Sequence, residues 1–330
     1  MIVRCLLVLL TPAVAAAQIV YYPRIEITEV LIDPVGVNAG RQVVEFEVGN
    51  APVDTTSFVF VVGSSAVPFP SLVLPAGQRL RAHLGASGVS SVADLYFPTC
   101  PTLAAADSIA IYDQNALQVP AALVDFVAWG SSSAPLSNIA VLAGRWPSTL
   151  VFAVPPTVEG ATLANRRDAR IAWIGPDAWY RDTTPTLGLP NDPGMTWNLA
   201  QGCTSPMYPP AITTNDVLDS GPWVGQTHTL VFGNLPLPSG LLFLAFGVNS
   251  PGPVDLVTFG MPGCYLHVAP DTILVVGHAL GFGQFTYQIP GGQQLVGFQY
   301  HVQALVPDPA AANPAHALMS NALIMRIGSR

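Results

Sequence analysis

Side chains alternate in character with a period of two along most of this chain. In "RQVVEFEVGN", residues 41–50, Val44, Phe46 and Val48 fall on one face, and Glu45 and Glu47 on the other. In "QRLRAHLG", Leu80, Ala82 and Leu84 oppose Arg79, Arg81 and His83. In "ADSIAIYDQNALQVPAALVDFVAWG", residues 106–130, Ile109 and Ile111 share a face, as do Val124, Phe126 and Ala128 after the connection "DQNALQVPA". A period of two over five to eight residues describes a strand buried on one side. The 29 glycines and 32 prolines fall between such runs, and no long amphipathic helix pattern survives them. Short alternating segments separated by turn residues predict an all-β sandwich.

The first residues predict a leader rather than a fold. Arg4 precedes the apolar run Cys5–Leu10, and Ala15 and Ala17 are small residues ahead of Gln18, the pattern of a secretory signal peptide over residues 1–17. No later apolar run reaches the roughly 20 residues that span a bilayer. The remaining length predicts two domains. "TTPTLGLPNDPGMTWNLAQGC" is rich in Pro, Gly and Asn and divides a domain over 18–192 from one over 203–330, with residues 193–202 expected as a linker. Beyond Gln201 only five Asp and two Arg are charged, yet alternation continues in "QTHTLVFG", "LLFLAFGV", "VDLVTFG", "CYLHVAP", "QFTYQIP", "LVGFQYHVQALV" and "NALIMRIG".

Charge and cysteine usage exclude several chemistries. The chain has no lysine, so a Schiff base, a P-loop lysine and a lysine base are ruled out. A formal net charge of −8 with scattered arginines lacks the basic patch of a nucleic-acid binder. Three cysteines follow the leader. Cys203 and Cys264, each preceded by glycine, are predicted to pair in a disulfide, which suits an exported chain. Cys100, in "FPTCP", is expected as a buried thiol, with an intermolecular bridge as the alternative.

An ordered set of segments carries a resemblance: "IEITEVLIDPVG", "VVEFEVGNAPVDTTSF", "LVLPAGQRL", "ADSIAIYDQNA", "LVDFVAWG" and "TPTLGLPN". Over residues 23–192 the chain resembles the lamin tail domain in its bacterial exported form, which implies an immunoglobulin-like β-sandwich. It departs from the family pattern at Thr28, at Gln42, at Leu187-Gly188 and in a longer stretch over 131–180. The C-terminal part resembles a β-rich module at the ends of exported planctomycete-type proteins, through its "GC" pairs, "IPGGQQLVGFQYHVQALVPDPA" and "SNALIMRIG". That resemblance implies localisation outside the cytoplasm and no particular activity.

Candidate chemistry is sparse. Glu45 and Glu47 have a spacing that glycoside hydrolysis could use, but alternation places them on an outer strand face as exposed charges. Asp33, Asn38 and Asp54 offer oxygen ligands for calcium, although "DPVGVNAG" is equally a turn. His228, His267, His278, His301 and His316 lack zinc spacing and are expected as solvated strand residues. Ser87, near His83, lies outside a GxSxG context. Arg166, Arg167 and Arg170, with Asp168, form a basic cluster expected in a solvated loop. The expectation is a protein without catalytic residues, cofactor or metal, secreted or at the cell surface, that binds a protein or glycan partner. The competing class is a secreted hydrolase with its site at the domain junction.

Overall fold

A computed structural model describes residues 25–130, 134–166, 175–203, 209–214 and 221–330. The expected leader, together with Arg167, Asp168 and Arg170, lies outside the described residues. The fold is all-β, as alternation predicts, and no described helix is long and apolar enough to cross a membrane.

The first unit stacks two sheets. One has six strands, in the order Trp179–Asp182, Thr162–Asn165, Ile25–Leu31, Val43–Val48, Arg79–Leu84 and Asp94–Phe97. All its pairings are antiparallel except the last. The other has four, in the order Leu123–Trp129, Asp107–Tyr112, Val59–Val62 and Ser65–Pro68. Their inner faces meet through phenylalanines. Phe46 and Phe97 come from the six-stranded sheet and Phe60 from the four-stranded one. Ring centroids are 5.5 Å apart for Phe46–Phe60 and 5.0 Å for Phe60–Phe97, and Phe69 contacts all three. Aromatic pairs at these spacings add to the stabilisation that burial alone supplies.

The hairpin of Asp107–Tyr112 and Leu123–Trp129 is buried on both faces, not one. The long stretch after Gly130 explains this. A short helix, Ser137–Leu142, and Trp146 lie over the hairpin's outer side, with Trp146 edge-on to Phe126 at 5.5 Å. Both faces therefore need apolar residues, as "LVDFVAW" supplies.

The second unit is built from one eight-stranded sheet: Met195–Ala200, Ala317–Arg326, Gln299–Pro307, Ser239–Gly247, Thr272–Ala279, Phe282–Gln288, Thr227–Gly233 and Ala211–Thr214. Between Thr272–Ala279 and Phe282–Gln288 only the pairs His278–Gly283 and Ala279–Phe282 form. Beyond that hairpin the strands part and the sheet folds over on itself, giving a layer of five strands against a layer of three. Phe246 and Tyr300 of the first layer meet Phe285 and Tyr287 of the second, and the Tyr287 and Tyr300 hydroxyls are 2.6 Å apart. On the far side, the Asn321 side chain accepts from Ile212 N–H at 2.6 Å and donates to Ile212 C=O at 3.0 Å. One amide side chain thus substitutes for a ladder partner and draws the sheet towards closure.

Two expectations are corrected here. Residues 193–202 are not a linker, because Met195–Ala200 pairs with Ala317–Arg326 as an edge strand of the second sheet. "VDLVTFG" and "CYLHVAP" contribute only the two-residue strands Val254–Asp255 and Tyr265–Leu266. Between them a 3-10 turn and two left-handed glycines bring Cys264 to Cys203, where the predicted disulfide closes across 61 positions.

Candidate functional site: a sealed acidic pair and an open apolar face

Strand Ile25–Leu31 carries a β-bulge at Thr28, where the register moves from Ile27↔Phe46 to Glu29↔Glu45. The bulge turns Glu29 to the outer face, directly opposite Glu45. Two like charges at that distance destabilise a sheet unless something compensates. Three things do. The Arg79 guanidinium donates to Glu45 Oε1 at 2.9 Å and also reaches Glu47. The hydroxyl of Thr28 donates to Glu45 Oε1 at 2.6 Å, and that of Thr162 to Glu29 Oε1 at 2.5 Å.

The third is a strap formed by residues 184–191, which crosses the outer face of the sheet. Thr186 donates to Glu29 twice, from N–H and from Oγ1, both at 3.1 Å. Gly188 N–H donates to Glu45 Oε2, and Leu189 C=O accepts from Arg79 at 3.1 Å. Asn191 donates to Thr28 C=O at 2.8 Å and to Asn165 C=O at 3.0 Å, tying the strap down at its end. Gly188 has φ of 90°, a left-handed conformation that side chains other than glycine's resist.

The strap overturns one expectation. Glu45 lies on the outer face as alternation predicts, yet both it and Glu29 are 0% exposed. Of Glu45 and Glu47, Glu47 alone keeps part of the expected exposure. Burial drives the Glu29 carboxyl up to about 7. The Thr162 and Thr186 bonds pull it down, and the Glu45 and Asp182 charges push it further up. Asp182, next in the same polar row, rises to about 6, chiefly through burial, against bonds from Thr184 and with a push from Asp192. A carboxyl group near 7 has the proton affinity of a general acid. Here both of its oxygens already hold donors and water does not reach them.

The remaining candidates are dispersed. His83 turns Nε2 to Asp94 Oδ1 at 2.8 Å and stacks on Tyr96, and neither contact includes Ser87, which is exposed. Asp33 and Asn38 contribute backbone carbonyls to loop hydrogen bonds, while Asp54 accepts from Thr56 N–H and Oγ1 at 3.0 and 2.6 Å. Among the described residues no group of three or more His, Cys, Asp or Glu is placed to hold a metal. Cys100 is buried, which supports the thiol reading, and burial with the nearby Asp107 charge pushes it up to about 12. Gln42, noted as a departure, is also buried. It donates to Ile32 and Leu103 carbonyls and accepts from Leu103 N–H.

The expectation of solvated histidines fails for three of five. His228 and His278 sit on inner faces, His228 edge-on to Tyr287 and His278 over Gly240. His267 is buried by the disulfide-anchored segment and pairs with Gln201 C=O at 3.0 Å. Arg166 stacks 5.7 Å from the rings of both Tyr180 and Trp223, at the junction of the two units. An open cleft of about 440 Å³ between Thr56–Val59, Ala66, Pro68 and Gln114–Asn115 is lined by no ionisable side chain.

The disulfide-anchored segment covers one end of the outer face of the five-stranded layer, where Leu266 and Leu305 pack on Cys203, Cys264 and Met319. Among the described residues, none covers the other end. Leu241, Phe243, Ile273 and Val275 point outward there at 38–59% exposure.

No family model, curated protein or solved structure matches this chain.

Alternation singled out Glu45 and Glu47, but it missed Glu29, which the bulge at Thr28 brings opposite Glu45, and it missed their cover. The signal was present in "TPTLGLPN", whose hydroxyl, glycine and amide residues are the donors a buried acid needs.

Proposed function

We propose that the chain is an exported, non-catalytic binding or structural protein that holds a protein or glycan partner at or beyond the cell surface. The observation that carries this reading is the division of its polar and apolar groups. The side chains best suited to chemistry, Glu29 and Glu45, are sealed and satisfied beneath the strap, while the broad surface left open is uncharged and apolar. At the junction, where the alternative placed a hydrolase site, described side chains of the two units pack on one another. Tyr180 and Trp223 lie 5.2 Å apart, and Ser329 bonds to Thr184 at 2.7 Å and to Asp192 at 2.6 Å.

The buried disulfide is consistent with an oxidising compartment. Two stacked, mainly antiparallel sheets in the first unit are consistent with the lamin-tail, immunoglobulin-like assignment. Sandwiches of this kind present loops and sheet faces to partners while the core stays rigid.

Fractionating a producing cell and screening the purified protein against glycan and protein arrays tests the proposal. Recovery outside the cytoplasm with saturable binding to one partner class is expected. Turnover of ester, peptide or glycosidic substrates that Glu29→Gln abolishes would overturn it.

A further inference from the structure

Among the described residues, the apolar end of the five-stranded layer is a feature that nothing so far uses. Strands Ser239–Gly247 and Thr272–Ala279 pair with Phe243 opposite Val275 and Leu241 opposite Gly277. Alternation sends Leu242, Leu244 and Val276 to the core and leaves Leu241, Phe243, Ile273 and Val275 outside. The face continues round the hairpin, where Phe282 pairs with Ala279 and Leu280 sits at the tip with 84% exposure. None of the strands Ser239–Gly247, Thr272–Ala279 and Phe282–Gln288 carries an Asp, Glu or Arg. A strand face in water ordinarily carries polar side chains, and the neighbouring layer obeys that rule with Thr229 bonded to Thr286 at 2.8 Å.

We infer that this face is a self-association surface, on which a second copy of the chain docks about a two-fold axis to form a dimer. Deepening the reading of a binding protein, this assignment rests on two arguments. The first is area. With side chains of this size and exposures of 38–84%, the six residues present roughly 600 Å² of apolar surface, at the top of what a monomer shows and near the about 800 Å² each partner gives a stable interface. The second is chemistry. A two-fold contact apposes one patch with itself, so a face without charge meets a face without charge and leaves no ion buried unpaired. A partner bearing either sign would have to strip water from its charges and gain nothing in exchange.

Within this face Ile273 and Val275 are β-branched, Gly277 pairs with Leu241, and the disulfide-anchored segment bounds one end. Two such faces meeting would bury Phe243 and Phe282, aromatic residues of the class enriched at interfaces.

Sedimentation velocity of the purified, disulfide-intact chain from low to high micromolar concentration tests this. The wild type is expected to shift from monomer to a single dimeric species, with no weakening when salt is raised. The double variant Ile273→Thr with Val275→Thr keeps β-branched residues in exposed strand positions and should weaken association by about tenfold or more. Leu280→Ser, at the hairpin tip, provides a second reading should the double variant fold poorly. Val89→Thr on the first unit, at 91% exposure, should change nothing. A wild type that stays monomeric throughout overturns the inference, as do folded face variants that dimerise like wild type. So does a monomer that instead binds phosphatidylcholine vesicles through this face. Failure here leaves the binding function standing if partner capture persists, whereas hydrolytic turnover would remove that function and leave a dimer intact.

Discussion

At Glu29 the loss of water outweighs three hydrogen bonds. Its carboxyl moves from an ordinary 4.5 to about 7, so the folded state holds a proton that the unfolded chain releases between those values. Stability from this group is therefore fully present below about 4.5 and lost as pH rises through 7, a change of roughly 3 kcal/mol. Asp182, raised from 3.8 to about 6, acts in the same direction over a lower window. Asp94 acts oppositely. Burial pushes it up, but bonds from His83 and Arg81 prevail and hold it below the usual value, so its contribution is lost as pH falls. Urea unfolding should show wild-type stability declining from pH 5 to pH 8. Glu29→Gln should remove most of that decline above pH 6 and be more stable than wild type at pH 8 by about 2 kcal/mol. A wild type that gains stability with rising pH would refute this. Alternation assigned Glu45 to the correct face of its strand, because side-chain period is local. It could not assign burial, because the cover comes from Gly188, 143 positions away.

The strap is the element on which the first unit's polar economy depends. Asn191→Ala would remove the bonds to the carbonyls of Thr28 and Asn165, a loss of about 2 kcal/mol. Gly188→Ala places a side chain at φ of 90°, where about 1–2 kcal/mol of strain is expected, although open space surrounds it. Both variants should unfold at lower urea and be cut faster by protease within residues 184–191, and unchanged cleavage would argue against a strap. Strand Thr272–Ala279 shows where element-scale reading fails. "TILVVGHA" is apolar on both faces, so no alternation separates core from surface, and only the folded sheet reveals that Ile273 and Val275 face outward. Met195–Ala200 was hidden for the opposite reason, since Pro and Gly on both sides gave it the composition of a loop.

Across the whole molecule, two β units are joined by a contact that excludes water. Trp223 of the second unit packs on Tyr180 and Ala164 of the first. Trp223→Ala should cost about 3–5 kcal/mol and split a joint thermal transition into two, as calorimetry would show. Replacing Cys203 and Cys264 with serine should cost the second unit about 4 kcal/mol for a 61-position separation and lower the joint transition. The all-β architecture was legible because a period of two survives in any short segment. Sheet order, the fold-over at His278–Gly283 and the strap were not, because each is fixed by pairings between distant segments. Native-state hydrogen exchange on the intact chain at pH 5 and pH 8 tests most directly whether the buried carboxylates hold the strap. Amides of Thr186 and Gly188 should lose protection at pH 8, beyond the intrinsic rise in exchange rate, while those of Tyr300–Val306 keep theirs. Equal change in both units, or strap amides unprotected at pH 5, would contradict the account.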